Sequence, residues 1–445
     1  MVFQKIDEKS TNAITSALDF FTIPPTNTSV SAYHWREYLT LNPITDVPYR
    51  FRIYASNNYL DLTKVYLLSE MKIQKYDTTN SVWRRLTATG DGADKVGTIN
   101  FIGATFIRNI KITLNGREIY DSNSMYAYKA YLDAELSLPT TVKDSYLSAA
   151  GYYRETTTEH NPDSDDNPGF KQRKLLFDAS KTVQFISKID ADLFNQPNYM
   201  ISGVEIEIEI MPNDSAFCLL EPSNTGTAYR LEITALRLYV KTLELMSGLA
   251  YEISQKLEKQ PARYAIRRTA ITSNFISENR TEFTTLLWSE QIPRRVIVGL
   301  VENKRYIGNK AHSPFYFQPF STRELTIYAN GRTYPSNLYN LDYTNKLYTR
   351  AFHETSEALG FANSLETNGI NFERFGDGWT IYVFNLTNSG EENPCFDLIT
   401  EGATTINIKF STPIPAGGIV LVALAEFDSL IYIDRNRSVL SDYNA

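Results

Sequence analysis

Short runs of alternating apolar and polar residues constrain this chain more than any other feature. Residues 204–210 read VEIEIEI, so an extended strand sets Glu205, Glu207 and Glu209 on one face and the apolar side chains on the other. A helix would scatter the same acids around its circumference and dissolve the apolar stripe. Similar runs occur at 49–54, 65–73 and 107–114, and again at 294–300, 324–328, 379–384 and 405–410. The strongest apolar run, IVLVALA at 419–425, has the length of a buried strand and is too short to span a bilayer. Turn residues separate these runs, and the pattern predicts an all-β chain.

The pattern is written twice. Residues 110–126 read IKITLNGREIYDSNSMY and residues 325–339 read LTIYANGRTYPSNLY. Each sets a strand-like segment before Asn-Gly-Arg, followed by Tyr and Ser-Asn. Asn-Gly favours the positive backbone angles of a tight hairpin turn, which predicts strand–turn–strand in both halves. The match is short enough for chance to produce, and its placement in the two halves favours duplication of one sheet domain. Helices are expected only as insertions or connectors, at 124–134, at 249–260 before Pro261, and in part of 340–355. Residues 154–172 are polar and rich in Pro, Asp and Asn, and read as an exposed excursion; 87–97 reads as a smaller loop. The organisation expected is an N-terminal arm at 1–25, a first domain at 26–245, a connector at 246–264, a second domain at 265–435 and a tail at 436–445.

Catalytic signatures are lacking. There is no phosphate-binding loop, no H-E-x-x-H helix and no G-x-S-x-G elbow. His34, His160, His312 and His353 lie far apart, and two cysteines, Cys218 and Cys395, make neither a zinc motif nor a disulfide framework; both read as free thiols in or near a core. Asp163, Asp165 and Asp166 are the best ion candidates, although a solvated loop explains them as well. Glu205, Glu207 and Glu209 suit a wet sheet face. Asp397, Glu426, Asp428 and Asp434 could in principle include a carboxylate pair. The arginine pairs at 84–85, 267–268 and 294–295 suit structural or subunit contacts, because the guanidinium fork bridges carboxylates and carbonyls. No cofactor is expected.

Composition narrows the partners. The 445 residues carry a formal net charge of −7 and no long basic tail, which argues against tight, general nucleic-acid binding by this chain. The N-terminus lacks the apolar stretch of a secretory signal, so the five N-x-S/T matches are expected to be chance. Twenty-nine tyrosines and 24 phenylalanines are a large supply of rigid apolar surface, suited to sheet cores and to interfaces.

Several blocks, in order, resemble the major capsid proteins of Polinton-like elements, adintoviruses and related double-stranded DNA viruses. They are LDFFTIPPTNTSV at 18–30, PYRFRIYASNNYLDLTKVYLLSEMKI at 48–73 and DADLFNQPNYMISGVEIEIEI at 190–210. The longest stretch joins GINFERFGDGWTIYVFNLT at 369–387 to the block at 396–434 and RNRSVLSDY at 435–443. The resemblance implies a double jelly roll, two eight-stranded antiparallel β-sandwiches with short helical insertions. It also implies homotrimers of pseudo-hexagonal outline that tile an icosahedral shell around double-stranded DNA. Neighbouring capsomers and penton or other minor capsid proteins would be the partners, with DNA contacted indirectly. The place implied is the virion, assembled inside the host cell. Arg117 and Arg332, beside the two turns, become candidates for subunit contacts, and Tyr120 and Tyr334 candidate packing anchors. The chain departs from the family in its compactness, in the absence of a basic N-terminal arm and in the absence of a recognisable maturation cleavage site. Two rival readings compete: a carbohydrate-binding or viral attachment β-sandwich, and a jelly-roll glycoside hydrolase that would need a cleft with two suitably separated carboxylates.

Overall fold

The computed structural model describes residues 5, 7–88, 93–156, 167–222, 226–390 and 395–443. The alternating runs form strands as expected. In the first half these are β1 (Val30–Leu39), β2 (Tyr49–Ile53), β3 (Tyr59–Asp77), β4 (Ile107–Leu114), β5 (Arg117–Asp121), β6 (Val183–Lys188), β7 (Ile206–Pro212) and β8 (Tyr229–Leu245). The second half holds β9 (Ala262–Ile276), β10 (Glu282–Trp288), β11 (Arg295–Glu302), β12 (Thr322–Ala329), β13 (Arg332–Tyr334), β14 (Ile381–Asn385), β15 (Thr404–Phe410) and β16 (Ile419–Ile433). One sheet of the first half runs β1-β8-β3-β6 and the other β2-β7-β4-β5, antiparallel throughout. The second half runs β9-β16-β11-β14 and β10-β15-β12-β13. Adding eight to each strand number converts one half into the other. The path 1-8-3-6 facing 2-7-4-5 is a jelly roll, and the chain contains two.

Both Asn-Gly-Arg segments close the same hairpin, between the fourth and fifth strands of their roll. Asn115 and Gly116 have φ of 46° and 80°, and Asn330 and Gly331 have 50° and 69°. Leu114 then pairs with Arg117, and Ala329 with Arg332, across two-residue turns of the kind that need positive φ at both positions. A helix follows each hairpin: α1 (Tyr126–Ser137) in the first roll and α4 (Thr349–Ala358) in the second. Between them in chain order lie α2 (Pro168–Leu176) and α3 (Ser247–Leu257), the latter joining the rolls.

The excursion expected at 154–172 needs correcting. Its last residues open α2, where the Asn167 side chain accepts a hydrogen bond from the Phe170 amide and Pro168 occupies the first turn, an N-terminus built from residues that otherwise signal a loop. Phe170 and Arg173 are buried, and Arg173 donates to the carbonyl of Thr98 and to Glu155.

The cores explain the two kinds of apolar run. On β7, Ile206, Ile208 and Ile210 are buried while the glutamates between them reach solvent. On β16 both faces are covered. Ile419 and Leu421 enter the second roll's own core with Val296, Val298, Tyr382 and Phe384. Val420, Val422 and Leu424 point the other way and join the first roll's core with Ile297, Val301, Ile381 and Val383. The second roll's 1-8-3-6 sheet is therefore a wall between two cores, which accounts for a run with no polar alternate. Aromatic rings seal the contact: Tyr131 of α1 stacks on Phe315 at 4.2 Å between centroids, and Tyr128 meets Tyr306, Phe315 and Phe317. Gly299 lets this happen, because a Cβ there would lie 2.4 Å from the Phe317 ring.

Candidate assembly surfaces

Asp397, Glu426, Asp428 and Asp434, the acids with catalytic potential among the described residues, are engaged within the chain. Arg294 binds both Asp397 and Asp428, at 3.3 and 2.9 Å, and Arg267 also pairs with Asp428. Arg295 holds Glu426 at 2.9 Å, and Asp434 accepts the Ser438 amide. Each of these four carboxylates has a structural partner, and Asp397 and Asp428, the two that lie together, share the Arg294 guanidinium. Among the described residues no cluster of three or more His, Cys, Asp or Glu is arranged to hold a metal. Asp163, Asp165, Asp166 and His160 lie outside the described residues. Cys218 is buried, with its thiol pushed up by desolvation, but Cys395 is exposed, contrary to the expectation of two core thiols. Phe396, Leu398 and Ile399, which follow it, are themselves exposed.

A buried charge cluster, not anticipated from sequence, ties the rolls together. Lys129, on the inward side of α1, lies 2.9 Å from Asp133 and 2.8 Å from Asp190. Asp192, two residues on, accepts the amide of Thr269 at 2.9 Å and its hydroxyl at 2.7 Å, and Thr269 belongs to β9 of the second roll. Burial raises the Asp192 carboxyl to about 6, against the opposing pull of Lys129 and the Thr269 hydrogen bonds. A lone lysine among the apolar residues of YAYKAYL was the available signal, since a lysine inside an apolar helix stays buried only beside carboxylates.

The four residues named around the hairpins divide by roll. Arg117 donates to the carbonyl of Val439 and to Ser441, clasping the C-terminal strand Val439–Ser441 that pairs with the end of β16. Tyr120 is buried in the first roll, and its hydroxyl has no hydrogen-bond partner among the described residues. Arg332 is exposed, and Tyr334 is half-buried against the second core. The tail thus lies along the first roll: Asn115 donates to the Arg437 carbonyl, Arg437 to Ser202 and Tyr443 to Ile119.

An open apolar surface lies on the first roll's 1-8-3-6 sheet. Tyr33, Trp35 and Leu39 of β1 are 60%, 48% and 64% exposed. Trp35 packs on Tyr66 of β3 at 6.0 Å, Tyr33 lies 5.1 Å from the Lys241 ammonium, and Tyr66 reaches Tyr146. The opposite sheet of the same roll presents charge instead, with Arg50 on Glu209 and Arg52 between Glu205 and Glu207.

Comparison with solved structures recovers this architecture from end to end. A chain of the Sputnik virophage matches with a TM-score of 0.65 over 100% of this chain and 95% of its own, at 10% identity. The mavirus major capsid protein matches at 0.58, over 100% and 97%, with 12% identity. The fold is that of a double jelly-roll major capsid protein. The Faustovirus major capsid protein shows the same fold at 0.55, covering 95% and 92% at 10% identity. No family model matches the sequence. An uncharacterised protein of Caenorhabditis elegans, F54H12.2, is 27% identical over 427 residues, which span 94% of this chain and 99% of the relative. The capsid-protein fold accounts for both jelly rolls. Among the described residues no helix is long and apolar enough to cross a membrane.

Proposed function

We propose that this chain is a major capsid protein that assembles as homotrimers of pseudo-hexagonal outline and tiles an icosahedral shell around double-stranded DNA. One observation carries the reading: two jelly rolls of identical strand path are fused along one buried sheet, and the whole chain aligns with viral capsid proteins. Two such walls per subunit give six per trimer. In this reading 26–245 and 265–435 form the body, 246–264 joins them, and 1–25 and 436–445 serve as arm and tail. The open aromatic face of the first roll, and the exposed Arg332 and half-buried Tyr334 of the second, suit contacts with other subunits, since interfaces combine aromatic centres with polar rims. Penton or other minor capsid proteins would complete the shell in a virion assembled inside the host cell. DNA would be contacted indirectly, in keeping with the net charge of −7. A full-length relative in a nematode fits an origin in an element carried by animal genomes. Nothing observed favours the carbohydrate-binding alternative. Electron microscopy of the purified chain should show hexagonal trimers, or particles built of them. A chain that stays monomeric under every condition of concentration and ionic strength tried would remove the proposal.

A further inference from the structure

The N-terminal segment and a cleft between the rolls are complementary. Residues 7–28 contain no buried residue, yet they carry Leu18, Phe20, Phe21 and Ile23 at 58%, 75%, 93% and 87% exposure. An apolar cluster of that size in water marks a contact not yet made. The cleft, about 470 Å³, opens between α1 and the end of β6 on one side and the second roll's β9 and β11 on the other. Ala130, Ala134, Leu138, Val142 and Ile186 give it an apolar floor, with Tyr146 at its mouth. Its volume falls in the range of sites that enclose a compact apolar group.

Three features connect the two. Tyr146 touches Tyr66, which packs on Trp35, so the open aromatic face runs without a break from β1 to the cleft. Lys188, which donates to Asn195 at 2.6 Å and lies near Asp190, lines the cleft, and Lys64 lies near it and Tyr146; Asp19, within Leu18–Phe21, carries a charge opposite to that of Lys64. Pro24 and Pro25 stiffen the link to β1 in an extended form, residues 7–28 bury nothing against their own body, and residues 18–29 can span roughly 40 Å.

We propose that the inter-roll cleft receives the Leu18–Ile23 segment of a second copy of this chain, as an arm exchanged between neighbouring subunits. The inference rests on the capsid reading only in requiring that copies associate. Phe20 and Phe21 fill the apolar floor and Asp19 remains at the mouth between Lys64 and Lys188. The arm then contributes affinity that the flat sheet face alone lacks, because rigid aromatics seated in a desolvated pocket dominate interface energetics.

The test uses full-length chains carrying Cys395→Ser to remove the exposed thiol. One population carries Phe21→Cys and the other Tyr146→Cys, both exposed positions that leave the folded body intact. After co-assembly and mild oxidation, a disulfide-linked mixed dimer is expected, identified by mass. The double substitution Phe20→Asp and Phe21→Asp should raise the protein concentration needed for assembly by about tenfold or more. Particles that assemble without the mixed dimer overturn the arm exchange and leave the capsid reading standing. Chains that never associate overturn both. A chain carrying both cysteines that closes on itself at high dilution shows the cleft filled by its own arm and overturns the exchange. Flotation of the wild-type chain, and not of the double-aspartate variant, with phosphatidylcholine–phosphatidylserine vesicles, together with no mixed dimer, assigns the arm to a lipid surface and overturns it as well.

Discussion

The two 1-8-3-6 sheets share strand path and antiparallel register but not surroundings. In the second roll the outward face of β16, β11 and β14 is Val420, Val422, Leu424, Ile297, Ile381 and Val383, all buried against the first roll. In the first roll the equivalent face carries Tyr33, Trp35, Tyr66 and Leu39 and remains open or half-open. Topology therefore does not decide which sheet faces are wet. A jelly roll closes one core between its sheets and leaves two outer faces, and each outer face takes whatever neighbour the chain or another subunit supplies. The fused face is aliphatic, as an obligate core is. The open face mixes aromatics with Lys241, Glu37 and Arg237, the composition of a surface that must stay soluble before it meets a partner.

Substitution of one residue on each face tests that contrast. Leu424→Ala empties a fully buried position between the rolls and should cost roughly 2–5 kcal/mol of unfolding free energy, read by denaturant titration. Trp35→Ala, on the open face, should change the stability of the isolated chain by about 1 kcal/mol or less while lowering the fraction assembled. Equal losses of stability would mean that the open face is already covered within one chain, and unchanged assembly of Trp35→Ala would remove that face from the interface.

A smaller effect is expected at the charge cluster that crosses between the rolls. Asp192 faces Lys129 and Asp190 from its own roll and Thr269 from β9, with Arg268 and Tyr443 nearby. Its carboxyl titrates near 6 in the folded chain, above the usual value of about 3.9 for an unfolded aspartate. The folded state therefore holds a proton that the unfolded state lacks between about pH 4 and 6. This group's stabilising contribution is complete below about pH 4 and is lost as the pH rises through 6. Asp192→Asn has no such proton. Wild type should gain on the variant by about 1 kcal/mol for each pH unit of acidification between 6 and 4, measured by denaturation of both chains at matched pH. A gap that does not change with pH would show that Asp192 is ionised in both states.

Much of this arrangement is legible in the sequence, and the rest is hidden for identifiable reasons. Strand alternation at 204–210 and the two Asn-Gly-Arg turns are local, so period and turn chemistry place them without help. The unbroken run at 419–425 reports that both faces are buried but not that one lies against another roll, because burial carries no record of the neighbour. The start of α2 reads as a loop because Asn167 and Pro168 are capping residues as well as turn residues. Arg117 looks like a surface cation beside a turn, and only the return of the chain at 437–443 engages it internally. Tyr120 sits in a strand that alternates imperfectly, with Ile119 and Tyr120 both buried across the register shift in its pairing with β4. The helix positions hold to within a few residues, since Leu138 before Pro139 and the stretch before Pro261 end α1 and α3 where proline demands.

The least sensitive region should be the other outer face of the first roll. There Arg50 pairs with Glu209 and Arg52 with Glu205 and Glu207, on side chains that are 26–61% exposed. Exposed ion pairs gain little in high dielectric, because solvent screens the attraction and two long side chains lose rotamer freedom, and measured values centre below about 1 kcal/mol. Arg50→Ala should shift the unfolding free energy by less than that, and the remaining difference should shrink in about 1 M salt, where screening acts within roughly 3 Å. Assembly should proceed as in wild type, since this ladder already satisfies its charges within one chain, whereas the aromatic face of the opposite sheet does not cover itself. If Arg50→Ala instead blocks association while leaving the monomer stable, the acidic ladder binds a basic surface of a neighbour, and the contact between subunits runs through the charged face of the roll.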